Sequence, residues 1–218
     1  MEYNQQQEPG SERSINIADE VKNFYAIDFK ALFITFFTNP FDGISAIFRN
    51  PSEKSFIHSM VLYGSVFVLY FLGTYLLAGE MREYMSFGSF LSLGLIPVLV
   101  MLSISGLSFL IKAVVGRANF KSELLTGALC GIPLGLIIPL SLVAKLLGDG
   151  SDVTMLFRNP MGAGLLMSVI MLYLLMMMIN VLQQSLKAGG TKDLLAWYLS
   201  PVCILLSFYI AFNLFSNM

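Results

Sequence analysis

Few side chains in this sequence could act as nucleophile, base or soft metal ligand. The chain holds one histidine, His58, and two cysteines, Cys130 and Cys203. Covalent hydrolysis needs a nucleophile held beside a base. His58 stands at the mouth of an apolar run, where a lone imidazole serves as an interfacial anchor. Neither cysteine has a second Cys or His at ligand spacing, so both read as small buried apolar groups. Ser103-Ile104-Ser105-Gly106 is superficially like a rhomboid serine motif, but Ser103 occupies the place of that motif's glycine. Serines in such runs return a hydrogen bond to their own helix. Glu80-Met81-Arg82-Glu83 lacks the adjacent glutamates of the intramembrane prenyl-protein proteases. Met167, Met171 and Met176 to Met178 carry thioethers of the kind that favour copper, and flexible apolar filler explains them more simply. The expectation is a protein with no catalytic, cofactor or metal site, and no enzyme.

Two other sets of residues carry physical information. Gly127, Gly131 and Gly135 recur at intervals of four, with Pro133 inside the ladder, and at helical spacing they form one groove. In lipid such a groove lets two helix backbones approach closely, either within the chain or across an oligomer or partner contact. Asn180, Gln183, Gln184 and Asn213 are the polar candidates inside apolar segments. The first three gather near one segment end, where interfacial hydration suffices.

The elements that must position these residues are membrane spans. Hydrophobic residues make up 56% of the chain and charged residues 12%, with a mean hydropathy of +0.73; a soluble domain carries about 25% charged residues. Met60 to Ala78, Ser89 to Ile111, Leu124 to Ala144, Gly162 to Leu182 and Leu194 to Phe215 contain no Asp, Glu, Lys or Arg. Each has about the 20 residues needed to cross ~30 Å of hydrocarbon as a helix. Five spans follow, with the charges confined to the connections, Lys112 to Glu123 among them, and none in a span core. Buried charge is the usual mark of an ion or proton path.

Lys and Arg distribution sets the orientation. Arg13, Lys22, Lys30, Arg49, Lys54, Lys112, Arg117, Lys121, Lys187 and Lys192 fall on the N-terminal side, against Arg82, Lys145 and Arg158 on the other. The N-terminus is expected in the cytoplasm and the C-terminus outside. The first 25 residues lack the apolar core of a cleavable signal.

Ahead of the spans, residues 1–28 are polar and expected to be disordered. Residues 29–58 read as an interfacial amphipathic segment, and 59–218 as the five-span domain. Phe29, Leu32, Phe33, Phe36 and Phe37 follow helical spacing, Asn39-Pro40 breaks it, and Phe41, Ile44, Ile47 and Phe48 resume it. Phe29 to Thr38, the ten residues before that break, are too few to cross a bilayer, so two short helices lying in the interface are expected. Phe-Arg-Asn-Pro occurs at Phe48 to Pro51 and again at Phe157 to Pro160. Their flanks differ, and Arg anchoring beside a helix-starting Asn-Pro accounts for both.

This order of parts resembles the Yip domain family, membrane proteins named for interaction with Ypt/Rab GTPases. The matching residues are Asn39-Pro40 with Phe41 to Phe48, Gly116-Arg117-Ala118-Asn119-Phe120-Lys121, and Gly131 to Pro133, within a likeness covering roughly residues 36 to 215. The resemblance implies a cytosolic N-terminus and five spans. The N-terminal segment has no Asp-Leu-x-Gly-Pro motif, and Gly131-Ile132 stands where the family has Gly-Tyr. Both departures speak against a Rab-type GTPase partner and bring the chain closer to the bacterial members, hence to a bacterial cytoplasmic membrane.

The resulting fold expectation is an all-α polytopic membrane helix bundle of five transmembrane helices, preceded by short interfacial amphipathic helices. The functional expectation is a non-enzymatic scaffold or adaptor that organises partner proteins or membrane shape. Its partners would be the bilayer and other membrane proteins or a second copy. Pro97, Pro133, Pro139 and Pro201 interrupt spans as helix breaks do in transporters, which keeps a small carrier or channel component as the alternative. A net charge of −1 offers no basic surface for nucleic acid.

Overall fold

The computed structural model describes residues 17–49, 54–116, 118–147 and 163–216. The expected disordered stretch from Met1 to Ser14, the second Phe-Arg-Asn-Pro, Arg117 and the C-terminal Met218 lie outside the described residues.

All regular structure among the described residues is helical, with no strand. A first run comprises α1 (Ile17–Asn23), a π-helical turn (Phe24–Asp28) and α2 (Phe29–Thr38). Helix therefore begins inside the segment that composition assigned to disorder. The reason is tertiary: Phe24 is fully buried, and Glu20 meets Lys54 ahead of the first span. Asn39 ends α2, and its side-chain oxygen accepts from the Asp42 N–H at 3.2 Å to start α3 (Asp42–Arg49).

Five long helices follow: α4 (Ser55–Leu77), α5 (Phe87–Val114), α6 (Phe120–Leu147), α7 (Ala163–Ala188) and α8 (Asp193–Ser216). Each is long and apolar enough to span a bilayer. Ser86 caps α5 by accepting from the Ser89 N–H, and Asn119 caps α6 by accepting from the Lys121 N–H. At the end of α7, Gly190 (φ +85°) sits in the left-handed region. There the Thr191 N–H bonds the Leu186 carbonyl and the Gly190 N–H that of Lys187, a Schellman turn.

α6 is the central and most buried span, packed on α4, α5 and α7, while α8 lies against α5 and α7. Outward faces are apolar: Trp197, Val202, Leu205, Tyr209 and Phe212 of α8 are all exposed. Lipid accommodates such a surface and water does not. The chain is a multi-pass α-helical membrane protein.

α1 to α3 gather at the end of the bundle that holds the N-terminus of α4 and the α5–α6 and α7–α8 turns; α3 packs on α7. Phe29, Phe33 and Phe37 form an aromatic stack along α2, with ring centroids 5.9 and 4.9 Å apart. Phe36 and Phe48 point into the bundle and are buried, whereas Phe41 is exposed. The six phenylalanines thus divide between a docked face and an open one, because α2 and α3 rest on other helices.

Candidate functional site

The polar groups that the bundle brings together are Ser108, Lys112, Glu123, Thr126 and Ser185, from three helices. Lys112 lies two residues before the end of α5 and Glu123 three residues into α6, so the intervening turn folds them face to face. The ammonium lies 2.8 Å from Glu123 Oε1 and 3.0 Å from Oε2, and donates to Ser185 Oγ at 2.8 Å. Ser108, one turn before Lys112, donates to Glu123 Oε2 at 2.5 Å. Thr126 shares a 2.6 Å hydrogen bond with Ser185. Lys112 is 3% exposed and Glu123 1%, which makes this an ion pair buried within the bundle.

Sequence reasoning had placed both charges in a connecting loop and left the span cores without charge. The structure corrects this: both belong to spans. Each ion inside the membrane end is costly alone, and the pair is tolerated because its partners saturate it. The signal was present in the spacing. Ser108 and Lys112 are four apart, Glu123 and Thr126 three apart, so each helix carries a polar stripe on one face.

Gly189 packs on the Lys112 stem, its missing Cβ leaving room for methylenes that would otherwise lie 2.6–2.9 Å away. Beside the pair opens a cavity of about 110 Å³ lined by Phe48, Lys112, Asn119, Ser122, Glu123, Ala188 and Gly189. That is room for a few waters at about 30 Å³ each. Phe48 of α3 closes one side.

The glycine ladder faces α4 and α5 of the same chain. A Cβ on Gly127 would overlap the Met101 carbonyl oxygen and the Ser105 and Tyr63 hydroxyls, which share a 2.9 Å hydrogen bond across the groove. Gly131 lies under the Met101 thioether, and Gly135 has looser contact with Leu69. Ser105 is thus committed to Tyr63.

Asn180 donates to the Pro40 carbonyl at 2.6 Å and accepts from Gln184 at 3.3 Å, tying the α2–α3 corner to α7. Gln183 is half-buried and Asn213 exposed on α8. Cys130 points at the Met178 carbonyl at 3.7 Å and Cys203 is buried in α8. Met177 and Met178 are buried while Met176 faces outward, so the methionines do not converge.

His58 lies against the Phe24 ring, with Nε2 3.4 Å from Asp28 and 3.7 Å from Glu20. Lys54 meets both Glu20 oxygens, at 2.8 and 2.9 Å, and its hydrogen bond holds that carboxyl below the usual range; Glu20 in turn raises Lys54. Among the described residues no group of His, Cys, Asp and Glu is arranged to hold a metal ion.

No family model, curated protein or solved structure matches the chain.

Proposed function

We propose that this protein is a non-enzymatic membrane scaffold or adaptor whose bundle holds a docked N-terminal helical segment at its cytoplasmic end. The observation that carries the reading is the use made of the buried polar groups. Lys112, Glu123, Ser108, Thr126 and Ser185 spend their hydrogen bonds on one another across three helices. Asn180 spends its own on the α2–α3 corner. Such groups fasten helices and leave little free to bind a solute.

The excess of Lys and Arg on the side of α1 to α3 supports a cytoplasmic position for that end. The resemblance to bacterial Yip-domain proteins, with their cytosolic N-terminus and five spans, agrees with this architecture. Partners on this reading are other membrane proteins or a second copy.

The recess beside Lys112 and Glu123 favours a second reading, a small carrier, because polar side chains there reach a buried charge pair. Proteoliposome flux separates the two. A scaffold passes neither protons nor small solutes above the protein-free background, and crosslinking in the native membrane captures a stoichiometric partner. Specific, saturable flux lost in Glu123→Gln would sink the scaffold reading in favour of the carrier.

A further inference from the structure

We propose that the groove between α4 and α6 binds one anionic glycerophospholipid, with an acyl chain in the groove and the phosphate held by Arg82 and Lys145. The proposal is independent of the choice between scaffold and carrier.

The groove is an open cavity of about 690 Å³ that runs along α4 from Gly64 to Leu76, with Ile138 and Leu142 of α6 and Val21 and Tyr25 of the first helical run as its other walls. Gly64 supplies no helix contact, since a Cβ there would meet nothing within 4 Å. Its missing side chain makes room. Gly64 to Leu76 is about 18 Å at 1.5 Å per residue, close to the about 15 Å half-thickness of a hydrocarbon core. The trough is therefore one acyl chain long.

Its Leu76 end is cationic. Lys145, one turn beyond Leu142, donates to the Leu76 and Leu77 carbonyls at 3.2 and 3.1 Å. Arg82 donates through Nε to the Tyr75 carbonyl at 2.7 Å and through Nη2 to that of Leu76 at 3.2 Å, with its guanidinium over the Tyr75 ring. Two positive charges thus converge on one carbonyl, and no described carboxylate forms an ion pair with either. An ammonium has three donors and a guanidinium five, so each keeps N–H groups free for a phosphate. With a zwitterionic lipid, no described carboxylate compensates this double charge. An anionic one neutralises half of it while its chain occupies the groove.

The test is native mass spectrometry of the full chain released from vesicles of equal phosphatidylglycerol and phosphatidylcholine. Wild type should retain one phosphatidylglycerol in clear preference. The double variant Arg82→Gln/Lys145→Gln should lower that retention roughly 30-fold, from about 1 kcal/mol per basic side chain near a lipid surface. Gly64→Leu, which fills open space, should reduce retention of both lipids and leave their ratio unchanged. Equal retention of the two lipids by wild type overturns the proposal, as does unaltered preference in the double variant. A dimer abolished by Gly64→Leu would assign the groove to a second copy and overturn it too. The wild-type comparison needs no substitution, so a variant that fails to fold leaves the decisive result in place.

Discussion

Lys112 and Glu123, eleven positions apart across the α5–α6 turn, form a 2.8 Å ion pair in which neither side chain is more than 4% exposed. The pair acts as a clasp: it closes α5 onto α6, and Ser185 brings α7 to the same point.

Breaking the clasp on one side should cost far more than replacing it whole. Glu123→Ala or Lys112→Ala leaves a buried charge without its partner, a loss of about 3–5 kcal/mol. Lys112→Met/Glu123→Gln removes both charges at similar volume and should recover much of that. Thermal unfolding in one detergent across the double-mutant cycle measures the difference; additive single losses would show that the ions do not interact.

The glycine ladder should respond in graded fashion to alanine. Gly127→Ala drives a methyl into backbone and two bonded hydroxyls and should cost about 1–3 kcal/mol. Gly131→Ala meets the flexible end of Met101 and should cost less. Gly135→Ala makes ordinary contact with Leu69 at 3.5 Å and should be close to neutral. Unfolding midpoints that rank these three in another order contradict the packing described.

The two faces of α2 and α3 should separate by amide exchange in nanodiscs. Phe36→Ser or Phe48→Ser removes a buried ring and should speed exchange across residues 29–49 by roughly two to four orders of magnitude, given about 3–5 kcal/mol for a core aromatic. Phe41→Ser, on the exposed face, should leave the rates within about twofold.

Docking of α1 should depend on pH through Glu20 and Lys54. Lys54 lowers the Glu20 pKa from 4.5, so this stabilisation is complete above that value and fades as pH falls through the lower folded one. The raised Lys54 makes the mirror contribution, complete below 10.5 and lost as pH rises through its higher folded value. Protection of residues 17–28, corrected for intrinsic exchange, should therefore fall in wild type as the pH drops below 4.5 and on through the lower folded value. Lys54→Gln should blunt that drop; an identical profile in the variant would remove Lys54 from the account.

The five spans were legible because long uncharged runs have few other uses, yet every uncharged run is shorter than its helix. Met60 to Ala78 became Ser55–Leu77, and Ser89 to Ile111 became Phe87–Val114. The charge filter that found the spans also cut Lys112 and Glu123 from their ends, and with them the ion pair. Gly127, Gly131 and Gly135 were legible as a groove from spacing alone. Which helices fill it was not, since the Tyr63, Met101 and Ser105 contacts join segments far apart in sequence. The helical start at Ile17 escaped for the same reason: its support, Lys54, lies 34 residues beyond Glu20.

The centrality of α6 has a bearing on biogenesis. Two of its three main neighbours, α4 and α5, precede it in the chain, so a three-helix unit can close as soon as residue 147 has been delivered to the bilayer. During that interval the Lys112 ammonium lacks only its bond to Ser185, while Glu123 already neutralises it. The arrival of α7 then completes a site already free of naked charge, and chain order itself spares the translocating protein an unpaired ion in lipid.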